Sequence, residues 1–183
     1  MKKNRFILFS ISIISALLIL TSCQTTYHAT PHEALTDFPG YLTQDNLPMT
    51  TFQQELVAGG LVLLYRYQPD PTDNEVCLAS TFVTHDWHGW QAQSSSKLAC
   101  ASNLFDKFRA GYTVGGNITE LTTAYGISTE GSQVRIQWSD GTESIVPVEN
   151  NYFLKSRPAY LHVTQIELID DDNTILDSIN WSE

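Results

Sequence analysis

The chain has 183 residues, 42% of them hydrophobic, with twenty acids against ten bases and three cysteines. That is enough apolar material for one ordinary domain or two small β-lobes. Beyond Arg5 no two bases lie closer than Lys107/Arg109 or Lys155/Arg157, and the net charge is −10. Phosphate binding needs clustered positive charge, so nucleic acid and anionic lipid headgroups are poor partners.

Lys2, Lys3 and Arg5 precede an uncharged run of fifteen residues, Phe6 to Leu20. A spanning helix needs about 18–20 apolar residues and an export signal about 7–15, so the length favours export. The run ends in Leu20-Thr21-Ser22-Cys23 rather than an A-x-A cleavage site. This stretch resembles the lipobox of bacterial lipoproteins. The resemblance implies cleavage before Cys23 and a diacylglycerol thioether on its sulfur, placing the protein in the cell envelope, membrane-anchored outside the cytoplasm. Gln24 rather than Asp follows the cysteine, which in a host with two membranes implies the outer one. Removing residues 1–22 takes away three bases and no acids, leaving seven against twenty, a formal −13. Charge of this sign keeps an exported protein soluble and self-repelling.

Residues 23–48 read as lipid anchor and flexible tether, rich in threonine and carrying Pro31, Pro39 and Pro48, with part of the segment able to pack back. Met49 to Ala58 is predicted as a short helix, with Thr51 and Gln54 as a capping box and Gly59 as its stop. Gly60 to Tyr67, GLVLLYRY, is the strongest strand, apolar enough to be covered on both faces. Residues 103–110 are predicted to form one or two helical turns capped by Asn103. From 117 onward the alternation is that of an antiparallel meander, with turns at Glu130-Gly131, Ser139-Asp140-Gly141 and Asp170 to Asn173.

Two hairpins can be read in detail, the first from parity and the second from a turn midway between two cysteines. Val134, Ile136 and Trp138 share a face, as do Val146 and Val148, so paired numbers must sum to an even value. A three-residue Ser139-Asp140-Gly141 loop with Gly141 left-handed satisfies this, and Pro147 then sits on an edge strand. In CLASTFVTHDWHGWQAQSSSKLAC a two-residue His88-Gly89 turn puts Trp87 opposite Trp90 and Cys77 opposite Cys100. Outside the cytoplasm that pair is expected to form a disulfide, contributing about 3 kcal/mol through loop closure.

Sites with chemistry are sparse. His85, Asp86 and His88 form the most site-like cluster, but the hairpin register sends them to different sides, so no metal or other cofactor is expected. Trp87, His88 and Trp90 are candidate contacts for a protein or glycan partner, and packing of the tryptophans on the body is the weightier alternative. His28 and His32 have helical metal-pair spacing with Pro31 between them as a breaker. Asp170-Asp171-Asp172-Asn173 matches a calcium loop in composition alone and is expected to be a solvated turn. Ser94-Ser95-Ser96-Lys97 matches S-x-x-K without its partner motifs.

The expected fold is mostly β, an antiparallel sandwich or two packed sheets with one or two short helices. It divides into 49–116, a β-rich part, and 117–183, whose patterning is similar to immunoglobulin-like accessory domains; 49–183 as one domain is the alternative. The expected function is a membrane-anchored, non-enzymatic binding or envelope-assembly domain. The alternative is a cell-envelope hydrolase with a dispersed acid and histidine site.

Overall fold

The computed structural model describes residues 26–36, 49–70, 72, 74–116 and 119–181; the leader, Cys23 and residues 37–48 lie outside the described residues. One helix, α1 (Pro31–Thr36), precedes eleven strands: β1 (Met49–Val57), β2 (Gly60–Tyr67), β3 (Val76–Asp86), β4 (Gly89–Ala101), β5 (Arg109–Gly116), β6 (Thr119–Ile127), β7 (Gln133–Trp138), β8 (Glu143–Pro147), β9 (Tyr152–Arg157), β10 (Val163–Ile169) and β11 (Ile175–Asn180). They form three antiparallel sheets, β1-β2-β3-β4, β5-β6-β9 and β11-β10-β7-β8. No helix among the described residues is long and apolar enough to cross a membrane.

The layers follow from which side chains alternate where. In β2, Val62 and Leu64 join Leu78 and Phe82 against Leu121, Tyr125 and Ile127 of β6. Its other face sends Leu63, Tyr65 and Tyr67 into a second cluster with Ala34 and Leu35 of α1. Burial on both faces is what its unbroken apolar run predicts. The middle sheet is likewise covered twice, because Ala110, Ala124 and Phe153 turn the other way to meet Ile136, Trp138, Ile166 and Leu168. Strands β5 to β11 thus make a three-plus-four sandwich in which the chain changes sheet after β6, β8 and β9. That Greek-key order is immunoglobulin-like, with the fourth strand, β8, beside β7 rather than on the first sheet. Position 116/117 falls at its first hairpin, between β5 and β6. Gly126 is required on the crowded face, where a Cβ would lie 2.3 Å from the Arg109 carbonyl oxygen and 2.5 Å from the Phe153 ring.

The β7–β8 hairpin has the expected loop. Pairs run from Gln133↔Pro147 to Gln137↔Glu143. Trp138 closes the loop, donating to the Thr142 carbonyl at 2.9 Å and accepting from the Gly141 N–H at 3.0 Å. Gly141 has φ +79° and Pro147 lies on the outermost strand.

The β3–β4 hairpin joins Cys77 to Cys100 in a disulfide with Cα atoms 4.0 Å apart, as expected. Its turn is displaced, however: Asp86 pairs with Gly89, so Trp87 and His88 form the loop and Trp90 faces His85. The cause is local chemistry. The Asp86 carboxylate accepts the His88 N–H at 2.8 Å, and Gly89, not His88, takes the positive φ. Two register shifts, between Leu78/Ala79 and Phe82/Val83, then bring the cysteines opposite each other.

The two helices expected at Met49–Ala58 and 103–110 are not formed. The first segment is strand β1, which pairs with β2 from Met49↔Tyr67 to Val57↔Gly60 with a shift beside Phe52. The open edge of β2 needs a hydrogen-bonding partner, and this tertiary demand overrides a weak helical pattern. Gly59 ends the segment as predicted, but as the φ +84° residue of a hairpin turn. In the second segment the Asn103 side chain accepts the Phe105 N–H at 3.3 Å in a tight turn, and β5 begins at Arg109. Leu104 and Phe108 are nonetheless buried.

Part of the expected tether is packed on the body. Thr30 is the N-cap of α1: its hydroxyl accepts the Glu33 N–H at 3.2 Å, and the Glu33 carboxylate accepts the Thr30 N–H at 3.1 Å. Pro31 therefore opens the helix instead of breaking it, because its missing N–H is one the first turn leaves unbonded anyway.

Candidate functional site

The sequence candidates converge on the β3–β4 tip, where two neighbouring tryptophans have opposite fates. Trp90 pairs with His85, their rings 4.8 Å apart, and packs on the cluster under α1. It is a body residue. Trp87 is 88% exposed. Its ring centroid is 3.4 Å from that of His88, and Tyr27 stacks on the same imidazole at 4.8 Å with planes 28° apart. The tip therefore presents a run of three rings, Tyr27, His88 and Trp87.

Tyr27 is held there by backbone bonding. His28 donates to the Trp90 carbonyl at 2.9 Å and accepts the Trp90 N–H at 2.8 Å, extending the sheet past β4 by one bridge. The crossing is close enough that a Cβ on Gly89 would lie 2.5 Å from the His28 carbonyl oxygen. Asp86 completes the tip: the His88 N–H it accepts holds its carboxyl below the usual aspartate range, with the imidazole Nδ1 at 3.4 Å assisting.

Other candidates disperse. Among the described residues, the set of three close metal-type ligand atoms is Glu75, Cys77 and Cys100, not His85, Asp86 and His88, and both sulfurs of that set are in the disulfide. His28 lies in the bridge, while His32 lies in α1 with Nδ1 3.4 Å from the Thr51 hydroxyl. Asp170 folds its own turn, accepting the N–H groups of Asp172 and Thr174 at 3.0 and 2.8 Å. Several remaining acids are partners of bases: Glu167 with its cross-strand neighbour Arg135 at 2.9 Å, and, between sheets, Glu55 with Lys155 at 2.7 Å and the loop residue Asp140 with Arg157 at 3.3 Å.

The serine run has a packing role that sequence reading missed. Ser96 and the Tyr125 hydroxyl are 2.7 Å apart between the first two sheets. On the other face Ser95 lies 3.1 Å from the Tyr65 hydroxyl, which also meets Thr81 at 3.1 Å. Lys97 is exposed. The signal was present in the alternation of small hydroxyls along a long strand, which suits a sheet facing tyrosines on both sides.

The described residues thus define a class: an immunoglobulin-like β-sandwich backed by a four-stranded meander, with an exposed aromatic tip where the N-terminal segment joins. No family model, curated protein or solved structure compared with the chain matches it.

Proposed function

We propose that this chain is an exported lipoprotein, acylated at Cys23, whose β body is a non-enzymatic binding or envelope-assembly module. Its contact surface is the Tyr27–His88–Trp87 tip. The observation carrying the binding reading is the tip: a tryptophan left 88% exposed beside two further stacked rings. Large aromatic faces bury much area at low entropic cost, which suits a contact surface. The charged leader, its fifteen-residue apolar run and the lipobox-like Leu20-Thr21-Ser22-Cys23 support the address. The hydrolase alternative is weakened because its most compact histidine and acid cluster is consumed in building a turn.

Feeding the host an alkyne-bearing fatty acid tests the address: the wild-type protein is expected to take up label and Cys23→Ser is not. An unlabelled wild type refutes it. Capture from detergent-solubilised membranes tests the surface. A component retained by the parent and lost by Trp87→Ala would be a protein partner of the tip. In intact host membranes, a photoreactive group in place of Trp87 should label envelope protein or lipid more than the same group at the exposed Ile145, and equal labelling would remove the tip from the proposal.

A further inference from the structure

The register of the first sheet gathers at one end what the sequence scatters. Val57 pairs with Gly60, Gly60 with Thr84 and Asp86 with Gly89, so the Ala58-Gly59 turn and the Trp87-His88 turn close the same end. The two most exposed large apolar side chains of the described residues, Trp87 at 88% and Leu56 at 82%, are both at that end. Ile145, Tyr160, Ile175 and Leu176 are less exposed and belong to the sandwich strands or their loops.

The N-terminal segment arrives at this end as well. Tyr27 is four residues after Cys23. A fully extended chain covers at most about 3.3–3.6 Å per residue, so Tyr27 lies within about 14 Å of the Cys23 backbone. From His28 to Leu35 the segment is fixed to the body. His28 is bonded to Trp90 in both directions, Thr30 and Glu33 cap α1, and Ala34 and Leu35 are buried against the sheet.

We propose that the partner of the aromatic tip is the bilayer that carries the anchor: Trp87 and Leu56 sit in its headgroup zone and seat the β body against the surface. This rests on the acylation reading for the position of the bilayer. Tryptophan favours that zone because its ring is apolar while its N–H stays wet. The headgroups implied are zwitterionic. A body with a formal −13 and no basic cluster gains nothing from anionic lipid, whereas stacked rings beside the Asp86 carboxylate suit the ammonium groups of choline or ethanolamine lipids. Seating also explains why a short linker is compatible with an exposed apolar end: held so near the membrane, that end does not face water.

The test uses the membrane-extracted protein reconstituted into phosphatidylcholine vesicles. The emission of Trp87 is isolated by subtracting that of Trp87→Phe, a change at an exposed site that leaves the fold alone. Lipids brominated near the headgroup are expected to lower the Trp87 signal at least about twofold, and aqueous iodide to lose a similar share of its access. Trp87 emission untouched by bromine and fully open to iodide overturns the seating. Intact mass read on the same sample keeps the two ideas apart. If the Cys23 sulfur is bare, it is the one thiol outside the disulfide and can be coupled to a maleimide-headgroup lipid before the quenching is repeated. A bare sulfur with Trp87 shielded after coupling overturns native acylation and supports the seating. An acylated sulfur with Trp87 open to iodide does the reverse.

Discussion

Gly141 is a residue whose role is conformational alone. Its φ is +79°, and a Cβ placed there would meet nothing within 4 Å. Gly141→Ala should therefore cost about 1 kcal/mol through backbone strain without any clash, read as a lower urea midpoint at unchanged slope. Its neighbour Asp140 accepts the Thr142 hydroxyl at 2.6 Å and the Thr142 N–H at 3.0 Å, which holds its carboxyl below the ordinary aspartate range. A depressed folded-state pKa contributes stability at pH values above the unfolded one, and that stability is lost as pH falls through the folded value. Thr142→Val should raise the Asp140 pKa in a carbon-detected NMR titration and flatten the acid limb of the stability curve. This loop was readable beforehand because hydrophobic parity at Val134, Ile136, Trp138 and Val146 permits only an odd number of loop residues and Gly141 supplies the φ that a three-residue loop requires. The tip was less readable. Asp86 accepting the His88 N–H moves the turn by one residue, and no hydrophobic pattern encodes that bond.

At the level of elements, α1 shows the cost of finding a motif in the wrong place. Thr30-Pro31-His32-Glu33 is the true capping box, with proline at the first helical position, whereas Thr51 and Gln54 lie on a strand. Thr30→Ala should cost about 1 kcal/mol of local stability, seen as faster hydrogen exchange of the α1 amides and of the Trp90 N–H that His28 accepts. The β3–β4 hairpin was half legible. Its two register shifts cancel the displaced turn, so the cysteine pairing was anticipated from a register that fails in between. Cys77→Ser with Cys100→Ser should lower stability by about 3 kcal/mol. The denatured wild type without reductant should leave both of these thiols unreactive.

Across the whole molecule, the least apolar of the central strands is the most deeply placed. Residues 121–128, LTTAYGIS, are all buried, and their hydroxyls are partnered: Thr123 with Ser156 at 3.0 Å, and Thr122 donating to the Ala159 and Leu161 carbonyls at 2.8 Å each. Composition read this stretch as an ordinary meander strand, since threonine is as common on sheet surfaces as between sheets. Three stacked layers were beyond sequence reading for that reason, while the β class and the immunoglobulin-like alternation were not. Phe153, fully buried between the second and third sheets, anchors the stack. Phe153→Ala should cost about 3–5 kcal/mol, against less than about 0.5 for the exposed Ile145→Ala, in parallel chemical denaturation.

The sheets, the docked N-terminal segment and the aromatic end give a coherent protein if a bilayer lies within a few residues of Tyr27. Intact-mass spectrometry of the mature protein from host membranes tests this most directly. The account predicts a chain beginning at Cys23 and carrying the added mass of a diacylglyceryl thioether. A chain that retains residues 1–22, or one that begins at Cys23 with an unmodified sulfur, would contradict it.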